Sequence, residues 1–209
     1  MIVAICAGGP IREVAFSLTP DKWIGVDRGA LYLIDEAIIP DAIVGDFDSV
    51  TAEEFARISK AVAHIEQFQA EKDETDTDLA LLKALDYAPT EIWLTGVTGG
   101  RLDHYEAVLR SVYTLQRQHP EVTFKLINPF NEIQFLQPGK YALAKDTYAY
   151  VSFFAYGETL TNVTLRGVKY ETTDEVIEQG TTRFTSNEIL TNGSISFEGG
   201  ICLMIKSRD

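Results

Sequence analysis

Short apolar runs alternate with helical stretches along the first 125 or so residues of this 209-residue chain, and that alternation constrains the fold more than any other feature. Runs at 2–6, 23–26, 42–44, 62–65, 92–94 and 122–127 have the length and apolar content of buried strands. Between them, 29–37, 52–60, 76–87 and 102–118 carry helical periodicity. Thr51 with Glu54 and Thr75 with Asp78 have the spacing of N-terminal capping pairs, and Pro89 and Pro120 halt the helices before them. Strands separated by helices cannot pair as hairpins, so the pattern predicts a parallel sheet covered by helices on both faces.

Beyond Asn128 the pattern changes. Strand-like runs at 132–136, 148–154, 159–165, 194–197 and 201–205 follow one another with only turns between, and Gly199-Gly200 reads as the turn of a terminal hairpin. The expectation is an α/β N-terminal domain with a mainly parallel sheet over 1–128, followed by an all-β, sandwich-like C-terminal domain over 129–209.

A formal net charge of −13 leaves no basic stripe to displace counterions from a nucleic-acid backbone or to hold an anionic membrane surface. No apolar run approaches the length of a membrane span. The apolar start is short and lacks a basic leader, so it reads as a first strand, and a cytoplasmic location is the default. Cys6 and Cys202 lie in strand-like runs and read as reduced and buried.

The chemistry-bearing residues are acidic. Asp46 and Asp48 stand in Gly-Asp-Phe-Asp-Ser, Asp73 and Asp76 in Lys-Asp-Glu-Thr-Asp, and Asp103 in Gly-Gly-Arg-Leu-Asp-His. Asp27, Asp46, Asp73 and the Thr98–Asp103 loop all follow expected strands, and in a parallel sheet such positions converge on the ligand-binding edge. Two carboxylates about 4 Å apart repel by roughly 4 kcal/mol at an effective dielectric near 20, which a hard cation would offset. Oxygen ligands without histidine or cysteine suit Mg²⁺, which commonly carries phosphates on its other face, with Asp46, Asp48, Asp73 and Asp76 as the metal set. Aspartate is also a good turn and cap former, which is the structural alternative for each one singly. The 73–84 stretch lacks the acids and glycine of a calcium loop.

Gly8-Gly9 and Gly99-Gly100-Arg101 could bring backbone amides close to phosphates, and Arg101 adds a guanidinium fork. Neither segment fits a P-loop or a dinucleotide fingerprint, and Gly8-Gly9 could equally be a tight turn. His104 is either an acid–base candidate or structural.

At these residues the chain resembles the thiamine pyrophosphokinase (thiamine diphosphokinase) family in its bacterial form. The segments that carry the resemblance are Cys-Ala-Gly-Gly at 6–9, Val-Asp-Arg-Gly-Ala at 26–30, Gly-Asp-Phe-Asp-Ser at 45–49, Glu-Lys-Asp-Glu-Thr-Asp at 71–76 and Thr-Gly-Gly-Arg-Leu-Asp-His at 98–104. Leu-Arg-Gly-Val-Lys-Tyr at 165–170 and Thr-Ser-Asn-Glu at 185–188 follow. The resemblance implies pyrophosphoryl transfer from ATP to the hydroxyl of thiamine, giving thiamine diphosphate and AMP, with Mg²⁺ as cofactor. It implies a homodimer with sites between subunits. It also implies that Asp46, Asp48, Asp73, Asp76 and Asp103 hold metal and phosphates. Gly8, Gly9, Asp27, Thr98, Gly99, Gly100, Arg101 and His104 would bind the nucleotide, and Ser186 and Asn187 would reach thiamine from the partner subunit. One departure stands out: Tyr170 is followed by Glu171 and Thr172 where the family usually has Pro-Leu, which leaves the path of that loop open. A pyrophosphokinase for another hydroxymethyl heterocycle and a non-catalytic sensor are the competing functions.

Overall fold

The computed structural model describes residues 1–47, 50–62, 65–67 and 74–209, with 65–67 described by backbone alone. The chain divides into two compact units, Met1–Pro129 and Phe130–Asp209.

The first unit runs β1 (Ile2–Cys6), a single 3-10 turn (Ile11–Glu13), β2 (Lys22–Val26), α1 (Arg28–Asp35), β3 (Ala42–Gly45), α2 (Ala52–Ala61), β4 (Ile65–Gln67), α3 (Asp76–Leu85), β5 (Glu91–Thr95), α4 (Leu102–Gln118) and β6 (Thr123–Ile127). The strands lie in the order β4-β3-β2-β1-β5-β6, and each neighbouring pair is parallel. From β1 the chain winds outward through β2, β3 and β4, then returns past β1 to β5 and β6. The direction therefore reverses between β1 and β5, where a crevice opens at the strands' carboxyl ends.

Burial on both faces explains why these strands are continuous apolar runs. Val3, Ala4, Ile5 and Cys6 are all fully buried. Ala4, Cys6 and Trp23 pack with Leu33 of α1, while Ile43 of β3 packs with Ala30, Leu31 and Ile58 of α1 and α2. Helix α3 covers β1, β2 and β3 through buried Ala80, Leu81 and Ala84. Both expected capping pairs are formed. Thr51 Oγ1 accepts from Glu54 N–H at 3.2 Å and Thr75 Oγ1 from Asp78 N–H at 3.1 Å, each acid reaching back to the cap's own N–H. The strand expected at 62–65 lies later, at Ile65–Gln67, because α2 extends through Ala61 and Val62 closes it.

The second unit is all β: β7 (Asn131–Leu136), β8 (Gly139–Ala144), β9 (Tyr150–Val168), β10 (Thr172–Ile177), β11 (Ile189–Phe197) and β12 (Gly199–Ser207). Three expectations change here. The run 148–154, from Tyr150 on, and the run 159–165 belong to one 19-residue strand, β9, because Gly157 takes a positive φ of 76° and bends the strand instead of ending it. The terminal hairpin is absent from these strands' pairings. β11 and β12 both pair antiparallel with β9, so the chain bends at Gly199-Gly200 and continues along the same neighbour. Strands β8 and β10, outside the expected runs, carry only a weak sequence signal because each fully buries a single residue, Leu143 and Ile177. Among the described residues, strand β8 pairs with β11 alone and β10 with β9 alone. The β7-β12-β9 set and the β10-β9-β11-β8 set enclose one core that includes Leu136, Phe153, Leu165, Ile195 and Met204.

Cys6 and Cys202 are free thiols, and burial pushes both up to about 12. Among the described residues no helix is long and apolar enough to cross a membrane.

Candidate active site

The crevice between β1 and β5 forms the mouth of a cleft of about 740 Å³ lined by residues of the first unit. Its walls are Gly8, Gly9 and Pro10 after β1, Asp27 after β2, Asp46 after β3, Thr75 and Asp76 at the start of α3, Thr98, Gly100 and Arg101 after β5, and His104 on α4. The loops after β1 and β5 touch: Gly9 N–H donates to Gly96 O at 2.9 Å, and a Cβ on Gly9 would fall inside that carbonyl oxygen. Only glycine lets these two loops approach so closely.

Asp27, Asp46 and Asp76 each bring a carboxylate oxygen to within 4.8 Å of the others, all three half-buried. Asp27 is placed by an unusual backbone, φ 47° and ψ −120°, at the turn from β2 into α1. A non-glycine residue in such a region carries about 1–3 kcal/mol of strain, held by surrounding structure. Asp27 N–H donates to Val44 O at 3.1 Å. Its carboxylate does not cap α1, which it precedes; Oδ1 instead accepts from Phe47 N–H at 3.2 Å across the sheet edge. Phe47 itself has φ 62° and packs on Phe55, so Asp27 clasps the turn that carries Asp46. Asp76 is the first residue of α3, where the helix end favours a negative side chain. The strand pattern put Asp27 on the same edge as Asp46, and the resemblance put it with the nucleotide; the structure groups its carboxylate with those of Asp46 and Asp76. Asp48 and Asp73 lie outside the described residues.

Asp103 is set elsewhere. It does not line the cleft and is 63% exposed at the start of α4. There the Arg101 guanidinium forks onto it, Nε to Oδ1 at 3.1 Å and Nη2 to Oδ2 at 2.6 Å. That pair, aided by His104 N–H, pulls the Asp103 carboxyl down to about 2. Gly99 is also off the cleft wall, turned against the Glu13 side chain with φ 72°.

In the second unit Asn187 is 4% exposed, and its side-chain amide makes three hydrogen bonds to backbone. Oδ1 accepts from Tyr170 N–H at 3.0 Å and Glu188 N–H at 2.9 Å, and Nδ2 donates to Tyr170 O at 2.9 Å. Ser186, at φ 56°, donates its N–H to Ser152 Oγ at 2.9 Å. Asn187 thus cross-braces 165–170 with 185–188 and leaves Tyr170 exposed beside Lys169. Glu171 accepts from Gly167 N–H at 2.7 Å and closes the turn where the sequence departs from Pro-Leu.

Sequence reasoning missed Glu13, Asn128 and Tyr32. Tyr32 reaches the cleft from α1, where its spacing marks it only as a core-facing aromatic. Glu13 and Asn128 meet behind the loop after β5 although 115 positions separate them, and no local pattern could have joined them.

The family model of the thiamin pyrophosphokinase catalytic domain matches residues 18–124, and that of the thiamin pyrophosphokinase vitamin B1 binding domain matches 140–202. The chain belongs to the thiamin pyrophosphokinase family. The thiamine pyrophosphokinase of Bacillus subtilis (strain 168) is 40% identical over 213 residues, 99% of each chain. The crystal structure of the Bacillus subtilis protein matches with a TM-score of 0.93 over the whole of both chains. A thiamin pyrophosphokinase family protein from Enterococcus faecalis, 33% identical, matches with a TM-score of 0.90 over 100% of this chain and 99% of its own. Membership makes the chain an enzyme of the thiamine diphosphokinase class.

Proposed function

We propose that the chain transfers the pyrophosphoryl group of Mg-ATP to the hydroxyl of thiamine, releasing AMP. The observation that carries this reading is the meeting of Asp27, Asp46 and Asp76 in one cleft with two glycine-rich loops and Arg101. Three half-buried carboxylates with no sulfur or imidazole among them form a hard donor set that fits Mg²⁺. Asp48 and Asp73, outside the described residues, are proposed as further ligands on the sequence alone. When bound, the ion neutralises phosphate charge and fixes the direction of the chain of phosphates.

The remaining work belongs to the protein. The loop after β5 and the N-terminus of α3 offer backbone amides to phosphate oxygens, while the Gly9 amide after β1 is spent on Gly96 and holds the two loops together. Arg101 lines the cleft and would exchange its Asp103 partner for a phosphate, with His104 beside it. The thiamine oxygen attacks the β-phosphorus in line, the bond from that phosphorus to the α–β bridging oxygen breaks, and AMP departs with that oxygen. The hydroxyl proton passes to an acidic residue of the set or to water. Catalysis of this kind is mostly positioning and charge neutralisation.

In this reading the first unit, closing near residue 128, handles Mg-ATP and the second holds thiamine. The description of the second family model supports that division. The surface braced by Asn187 is the proposed thiamine face, completed by a second copy of the chain in a cytoplasmic homodimer. An AMP-release assay with ATP, Mg²⁺ and thiamine tests the proposal. A hydroxymethyl pterin that replaces thiamine as the better acceptor would favour the alternative transferase. Tight thiamine binding without AMP would favour a sensor.

A further inference from the structure

Behind the loop after β5 lies a polar group that the proposed reaction does not use. Glu13 ends the 3-10 turn after β1, and its side chain is 14% exposed. Its Oε2 accepts from Thr98 Oγ1 at 2.9 Å and from Asn128 Nδ2 at 3.1 Å. Asn128, 5% exposed at the end of β6, also donates to Thr98 Oγ1 at 2.8 Å. One carboxylate therefore ties together the chain after β1, the loop after β5 and the end of β6. Gly99 lies flat against the same side chain, so the loop can take this path only without a Cβ there.

A threonine hydroxyl has one proton and two lone pairs. The Thr98 proton is committed to Glu13, and one lone pair is committed to Asn128. The Thr98 side chain has no proton left for a phosphate oxygen. Contact with a polyphosphate falls to the backbone amides of the loop and to Arg101, and their aim depends on the brace behind them.

We infer that Glu13 is a positioning residue that fixes the Thr98–Arg101 loop through the Thr98 hydroxyl and so sets nucleotide affinity. This rests on the proposed binding of Mg-ATP in the cleft. Losing an acceptor that is charged and largely buried removes a hydrogen bond in the range that weakens binding about tenfold or more. Glu13→Gln keeps an amide oxygen where Thr98 donates, so it should retain most of the affinity.

The test uses the full chain as wild type, Glu13→Ala, Glu13→Gln, Thr98→Val and the Glu13→Ala/Thr98→Val double variant. Mg-ATP binding is measured by calorimetry without thiamine, and the KM for ATP and kcat are measured with it. Glu13→Ala and Thr98→Val should each weaken binding about tenfold, raising KM more than they lower kcat. The double variant should be no worse than the weaker single, because both remove one linkage. Amide exchange of residues 96–101 in nucleotide-free protein should quicken in Glu13→Ala while that of β9 does not. Glu13→Ala binding within twofold of wild type, or losses that add in the double variant, would overturn the inference. If Glu13→Ala does not fold, near-native binding by Glu13→Gln beside a tenfold loss in Thr98→Val supports it, and equal losses overturn it. A wild type that binds Mg-ATP but releases no AMP would sink the proposed transfer and leave this inference standing.

Discussion

Replacing Asp46 by asparagine should make the protein more stable and far less active at the same time. Asp46 shares the cleft with Asp27 and Asp76, each offering an oxygen within 4.8 Å. At that separation each pair of charges costs about 3–4 kcal/mol at an effective dielectric near 20. All three are half-buried and reached by solvent and salt, which cuts the net relief from removing one charge to about 1 kcal/mol. For a chain of this length that corresponds to a rise in melting temperature of about 2–4 °C in metal-free buffer. Asparagine keeps the size and one acceptor oxygen, so the perturbation is chiefly of charge. Asp27 is a less clean choice because it clasps Phe47, and Asp76 because it favours the start of α3. With Mg²⁺ and ATP the order reverses: wild type should gain stability and the variant little, while AMP release falls by about two orders of magnitude or more. Scanning calorimetry in chelator and in Mg-ATP, with AMP release on the same samples, reads both halves. A variant less stable than wild type without metal, or one with near-normal turnover, would refute the view that these acids repel until a cation joins them.

Other consequences are as specific. Asn187→Ala removes three hydrogen bonds from a buried amide and should cost about 2–4 kcal/mol by urea denaturation, with a raised KM for thiamine in whatever protein remains folded. The thiols of Cys6 and Cys202, both pushed up to about 12 by burial, should resist a disulfide reagent at pH 8 until denaturant is added; fast reaction of either in the native state would contradict the packing around β1 and β12. Asp103 titrates near 2, below its ordinary range, so its pairing with Arg101 favours the folded form above the ordinary carboxylate range and is lost as pH falls towards 2. Carboxyl NMR should show that titration move up to about 4 in Arg101→Gln.

The α/β half was legible because both of its signals are local. Apolar runs at β1, β2 and β3 are buried on both faces and so uninterrupted, and the capping pairs at Thr51 and Thr75 mark helix starts within four residues of sequence. The all-β half was legible as a class but not in its connections. A glycine bend inside β9 and a continuation through Gly199-Gly200 look the same in sequence as turns that end strands, and their difference lies in which distant strand pairs alongside. The site divides in the same way. Asp46, Asp76 and the glycine-rich loops were readable as acids and glycines that follow strands. The strand pattern brought Asp27 to the same edge, but its place among the carboxylates depends on a strained turn, a feature of φ and ψ that composition does not carry. Glu13 and Asn128 depend on contacts over a hundred residues apart.

In the proposed reaction Asp27, Asp46 and Asp76 complete their coordination with a divalent ion carrying the phosphates of ATP. Crystals grown with Mg²⁺ and a non-hydrolysable ATP analogue test it most directly. The expected result is an ion about 2.0–2.1 Å from oxygens of these aspartates, with the phosphates extending towards the Gly8-Gly9 and Thr98–Arg101 loops. A nucleotide bound with its phosphates directed away from the three carboxylates, and no ion on them, would contradict it.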